Sequence, residues 1–216
     1  VYEQYVVDYP RPIDFAMETR KRLADIFKEQ FDYPRYYLQL AAIVQVDGDA
    51  GIDRTDRSRY LASGAALVLA EQVYEQFAGL KLVQPFEASL AQKQARMDTA
   101  LATLEKLVGY EVAGVTAAAT YYIAESYRNF SVALMQSERP EGLSAAERSD
   151  YELAIEEEAW PFEEQAIEVH EANFELLAAG VYNPWVQKSL DELAVMMPGR
   201  YAKNESSGGF LSSIDV

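Results

Sequence analysis

The 216-residue chain contains no cysteine and a single histidine, His170. Without thiols there is no disulfide framework, no thiolate metal site and no cysteine nucleophile. One histidine cannot supply the paired Glu-x-x-His ligands of carboxylate metal sites in helical bundles, and Glu168-x-His170 points the two side chains to different faces. Positive charge is scarce: 19 Lys and Arg stand against 35 Asp and Glu, giving a net charge of −16. Such a chain repels phosphate backbones and anionic lipid surfaces, which argues against a nucleic-acid partner. No apolar run approaches the roughly 20 residues that span a bilayer, so no membrane insertion is expected. Glycine-rich phosphate loops are missing too. The sequence predicts no cofactor, no metal and no enzymatic activity.

What is abundant is tyrosine, 15 residues against 9 Phe and 2 Trp. Tyrosine fills space between helices while its hydroxyl reaches water or a polar partner. Apolar residues recur at spacings of three, four and seven, and no segment alternates with the period of two that strands need. The expected class is therefore all-α, with eight or nine helices, several longer than twenty residues.

Local signals place the boundaries. Residues 1–8 read as the last turns of a helix stopped by Tyr9-Pro10-Arg11-Pro12. Because Tyr2-Glu3-Gln4-Tyr5 already resembles a helix interior, a fragment or processed product is expected, its targeting segment removed. Helices follow over 13–29, with Phe15, Leu23 and Phe27 inward, and from Pro34 to Val46, with Tyr37, Leu38, Leu40, Ile43 and Val44. Asp47-Gly48-Asp49-Ala50-Gly51 breaks the pattern. It superficially matches a calcium loop, but Ile52 and Ser58 occupy the places that need glycine and a bidentate glutamate. The next helix runs from Thr55 to Leu80, where Gly64 and Ala65 predict a close crossing. Another opens at Pro85 and closes at Gly109, and a further one covers 113–136. Ser144-x-x-Glu147 is a capping box. The helix it starts contains Pro161, which predicts two helices meeting there or a marked kink. Gly180 ends that run, Asn183-Pro184 starts a last helix through Val195, and Ser206-Ser207-Gly208-Gly209 opens a tail expected to be mobile.

Two features carry a family resemblance. Leu23-Ala24-x-x-Phe27, Leu69-Ala70-x-x-Val73 and Ile123-Ala124-x-x-Tyr127 each put a large, a small and a large side chain on one helical stripe, the small one admitting a neighbouring helix. Gln30-Phe31-Asp32-Tyr33 is similar to the turn of tetratricopeptide repeats, with Phe31 in the glycine's place, and Glu163–Glu171 resembles the repeat's second helix, with Ala166 at its small position. The stripes are 46 and 54 residues apart, against a standard 34, and Asn173 stands where a small residue is expected. The resemblance implies an open solenoid of elongated helical hairpins over residues 1–203, followed by a flexible tail at 204–216. An ordinary helical bundle is the alternative. Tyr5-Val6-Val7-Asp8-Tyr9-Pro10 is similar to repeat endings in tetratricopeptide proteins of Gram-negative envelopes, which implies a periplasmic setting.

The function expected from this resemblance is a non-enzymatic scaffold that binds a protein or peptide. Tyr37, Tyr122 and Tyr127 are its candidate contacts in a groove. Glu164, Glu168 and Glu171, on one helical face within a segment free of Lys and Arg, are candidates for a basic partner. A structural spacer or self-associating segment is the first alternative, and a small-ligand or enzymatic helical domain centred on His170 the second. His170 itself is expected to pack or to make a helix-to-helix hydrogen bond.

Overall fold

The computed structural model describes residues 1–178 and 180–202; the expected tail at 204–216 lies outside them. Nine α-helices occur in the described residues: α1 Tyr2–Asp8, α2 Ile13–Glu29, α3 Tyr33–Gly48, α4 Asp56–Ala78, α5 Phe86–Val108, α6 Ala113–Met135, α7 Ala145–Glu175, α8 Pro184–Met196 and α9 Pro198–Tyr201. A single 3-10 turn, Gly51–Asp53, precedes α4, and the described residues include no strand.

Side-chain caps set the helix starts. The Asp32 carboxylate accepts from the Arg35 N–H at 3.2 Å. Thr55 with Ser58, and Ser144 with Glu147, form reciprocal capping boxes. The Asn183 side-chain oxygen accepts from the Trp185 and Val186 N–H groups. Each such cap is worth about 1 kcal/mol, because it satisfies donors the first helical turn leaves free. Buried Asp47, the first acid of the apparent calcium loop, spends its oxygens on the Ser58 hydroxyl at 2.7 Å and the Arg54 guanidinium at 2.8 Å. It fastens the α3–α4 connection.

Three expectations change. The α7 helix is one helix through Pro161 rather than two meeting there, and Pro161 is exposed, so the missing N–H and the ring fall on the solvent side. Phe15 and Leu38 face outward, while Ala16, Met17, Leu40 and Ile43 fill the core. Gly64 makes no crossing. It is exposed, and a Cβ placed there would meet nothing within 4 Å; only its neighbour Ala65 is buried.

The order of packing is the main result. Each helix lies against the next in the chain, and α2, α4, α6 and α8 also touch in succession. The odd-numbered helices make no comparable row, and no two helices more than two apart in order pack extensively among the described residues. Buried residues accordingly gather in three successive clusters. The first joins α2, α3 and α4 around Phe27, Leu40 and Ile43. The next joins α4, α5 and α6 around Leu104 and Leu107. The last reaches α7 through Phe77, Phe130 and Ile155. Alanines dominate the buried surface of α4 and α6: Ala62, Ala65, Ala70, Ala117, Ala118, Ala119 and Ala124. Enlarging one would cost about 1–3 kcal/mol, since the neighbouring backbone has no room to yield.

The α2 helix ends in a Schellman closure. The Asp32 N–H donates to the Phe27 carbonyl at 2.8 Å, the Phe31 N–H donates to Lys28, and Phe31 between them has φ 58°. That left-handed conformation suits glycine, and the Phe31 side chain is 77% exposed, so it packs little in return. Phe31→Gly should raise stability by about 0.5 kcal/mol and the Tm by about 1–2 °C, once the flexible unfolded chain is allowed for. Calorimetry showing a lower Tm would mean that the aromatic ring stabilises the turn.

Candidate functional site

The row of even-numbered helices presents one shared face, and a groove of about 500 Å³ crosses it. Lys21 comes from α2, Tyr60, Gly64 and Leu67 from α4, Gly114 from the start of α6, and Trp185 from α8. Gly64 and Gly114 are both exposed, and no atom lies within 4 Å of where their Cβ atoms would be. Glycine inside a helix costs about 1 kcal/mol relative to alanine. Here no internal contact requires it, and the two sites instead leave bare backbone on the groove floor.

Trp185 links this groove to a band of tyrosines and acids. Its ring centroid is 5.3 Å from that of Tyr122 and 5.5 Å from that of Tyr121, and Tyr122 in turn meets Tyr74 at 4.9 Å. The Tyr122 hydroxyl donates to the Glu71 carboxylate at 3.3 Å. Burial pushes Glu71 up, against the hydrogen bond from Tyr122. Burial and then the Glu71 and Glu75 carboxylates push Tyr122 up; burial and then Glu125 do the same to Tyr74. Tyr121 is pushed up to about 12, chiefly by burial and then by Glu125 and Glu192. At Tyr37 the causes are burial and then Glu75. Tyr122 is thus bonded to Glu71, while of the two acids only Glu75 acts on Tyr37. Tyr127 does not join them. Five residues from Tyr122, it points to the other flank of α6 and packs into the cluster containing Phe77 and Met97.

The three acidic candidates lie on α7. Glu164 and Glu168 are exposed, and Glu168 accepts from Gln165 at 3.2 Å. Glu171 is occupied within the chain, accepting from Arg200 at 2.6 Å and from the Tyr201 hydroxyl at 2.7 Å as α9 folds back along α7.

Behind the groove face, a buried polar knot joins α6, α7 and α8. His170 Nδ1 lies 3.2 Å from the Ser189 hydroxyl, and its Nε2 lies 3.3 Å from Glu125. Asn173 donates to Ser189 at 2.8 Å and to the Ala117 carbonyl at 3.1 Å. Arg128 bridges to Glu192 at 2.6 Å. The Ser–His–Glu order has the form of a hydrolytic triad, yet Ser189 and His170 are 0% exposed. No substrate reaches them, and the knot fixes how α7 and α8 sit on α6. The unexpected Asn173 supplies two of its bonds.

One further buried group has chemical potential. Lys93 on α5 is 0% exposed and donates to the carbonyls of Leu80 and Phe77 and to the Asn129 side chain, with its ammonium 4.5 Å from the Phe77 ring centre. It sits beside a cavity of about 380 Å³ lined also by Asn129 and Glu138. All three of its protons are engaged, so it caps the end of α4, where carbonyls lack helical partners. A lysine within the stripe Leu90, Lys93, Met97, Ala100 and Leu104 was the signal for it in the sequence.

Comparisons with protein-family models, with curated proteins and with solved structures found no match.

Burial pushes the Lys93 ammonium down to about 8 from its usual 10.5. Between those values the unfolded chain holds the proton more tightly, so this group's contribution to stability rises with pH. Urea denaturation should show wild type gaining on the order of 1 kcal/mol relative to Lys93→Met between about pH 7.5 and 9.5. Parallel stability curves for the two proteins would show that the amine titrates as it does in the unfolded chain.

Proposed function

We propose that this chain is a tetratricopeptide-like helical stack that acts as a non-enzymatic scaffold, holding a protein or peptide segment in the groove along α2, α4, α6 and α8. The observation that carries the reading is the groove itself, an apolar channel with two open helical glycines on its floor. Even-numbered helices in succession, each backed by an odd-numbered one, are the packing expected of such a stack. The Schellman turn at Phe31, in the place of the repeat's glycine, adds local support. The repeat is irregular: its inner helices begin at Ile13, Asp56, Ala113 and Pro184, further apart at each step. The sealed triad supports a binding role over catalysis. The envelope reading rests on the Tyr5-to-Pro10 resemblance alone.

A second reading, self-association, draws on the α1 end, where Val7, Tyr9 and Phe15 are 70%, 60% and 59% exposed.

Peptides selected on the protein from a random display library test the scaffold reading. Gly64→Leu combined with Gly114→Leu should weaken the selected peptides' binding at least tenfold by filling the groove. The Tm should hold or rise, because leucine favours helix more than glycine does. Peptides that bind the double variant as well as wild type would place recognition elsewhere and remove the groove from consideration.

A further inference from the structure

Along α4, the stripe Tyr60, Gly64, Leu67, Glu71 and Glu75, exposed except at half-buried Leu67 and Glu71, keeps to one face, since residues three, four and seven apart align on a helix. Its first half is the groove floor. Its second half carries carboxylates two turns further on, about 10 Å from Gly64. Trp185 lines the groove and stacks toward Tyr122, whose hydroxyl holds Glu71, so the apolar and acidic halves form one continuous surface.

The other charges on this face are already committed. Lys21 pairs with Asp25, Arg57 with Glu18, and Arg128 with Glu192. Lys188 sits 4.1 Å from the centre of Trp185 and Lys28 5.5 Å from that of Tyr36; both act on Glu71 through their charge, and neither forms an ion pair with it among the described residues. Glu71 and Glu75 form no ion pair among the described residues. They repel each other at i, i+4, and the Tyr122 ring lies against them through its hydroxyl's bond to Glu71. Negative charge beside aromatic faces is the chemistry that holds a lysine or arginine side chain.

We infer that the groove's occupant is a segment of another protein that places an apolar side chain over Gly64 and a lysine or arginine about 10 Å along, beside Tyr122 and the Glu71–Glu75 pair. Three residues of extended chain cover that distance. The inference rests on the scaffold reading and names its partner's chemistry. It also moves recognition of basic charge from the outer face of α7 to the groove.

The test uses fluorescent ten-residue peptides with one phenylalanine and, three positions later, arginine, glutamine or glutamate in an otherwise Ala/Ser sequence. Anisotropy with the whole protein should show the arginine peptide binding roughly fivefold more tightly than the glutamine peptide, with the glutamate peptide weakest. Glu71→Gln with Glu75→Gln should erase that preference while the glutamine peptide binds unchanged. Gly64→Leu should abolish all binding. Arginine and glutamine peptides binding wild type equally, with binding still lost in Gly64→Leu, would overturn this inference and leave the scaffold reading standing. An arginine preference that survives the double Gln variant would overturn it likewise. Binding indifferent to Gly64→Leu, or no binding by any peptide, would overturn both. Concentration-dependent sedimentation lost in Gly64→Leu would identify the occupant as a second copy of the chain and overturn the inference as well.

Discussion

The constraint on which the rest of the structure depends is the size of the side chains buried along α4 and α6. Seven alanines, from Ala62 to Ala124, are buried on these two helices, and most expose no surface at all. With so little between the backbones, α4 and α6 touch directly as well as through α5. That contact extends the inner row from α2 to α8. Larger residues, Phe77, Leu104, Phe130 and Ile155, fill the wider gaps toward the odd-numbered helices. The division of small from large side chains thus decides which helices form the row and which back it.

A row of that kind leaves an open face, and the chain uses it unevenly. At one end the face is apolar and interrupted by glycine; further along it is tyrosine-rich and acidic. Behind it, the knot of His170, Ser189, Asn173 and Glu125 holds α8 against α6, and so positions Trp185 between the two regions. The knot is only partly satisfied, since His170 Nε2, Glu125 Oε1 and Asn173 Oδ1 make no hydrogen bond, so its bonded members, Ser189 and the Asn173 amide, carry the positioning. Lys93 does comparable work on the opposite side, gathering the loose carbonyls at the end of α4.

Much of this was readable from residue spacing. Leu23, Ala24 and Phe27 are buried together as their stripe requires, and the Ser144 and Asn183 caps start their helices where the motifs put them. The less readable parts depended on three-dimensional neighbours. Periodicity marks an apolar stripe but not its edges, so it puts Phe15 and Leu38 inward although the core lies on their flank. Tyr122 and Tyr127 share a motif but are five residues apart, and that offset carries a side chain about 140° round a helix. Gly64 looked like a crossing because small residues serve crossings; here the same smallness leaves a vacancy. The capture of Glu171 by Arg200 and Tyr201 required α9 to turn back, and no local pattern encodes that reversal.

The central claim is that, among the described residues, stability passes from helix to neighbouring helix through three successive clusters. Native-state hydrogen exchange on Leu193→Ala measures this most directly. Leu193 is fully buried on α8, and its truncation removes about 2–4 kcal/mol of packing. Exchange should accelerate in α8 and in the adjoining part of α7, while α2 and α3 keep their wild-type rates. Equal acceleration in every helix would reveal a single cooperative core and contradict the account.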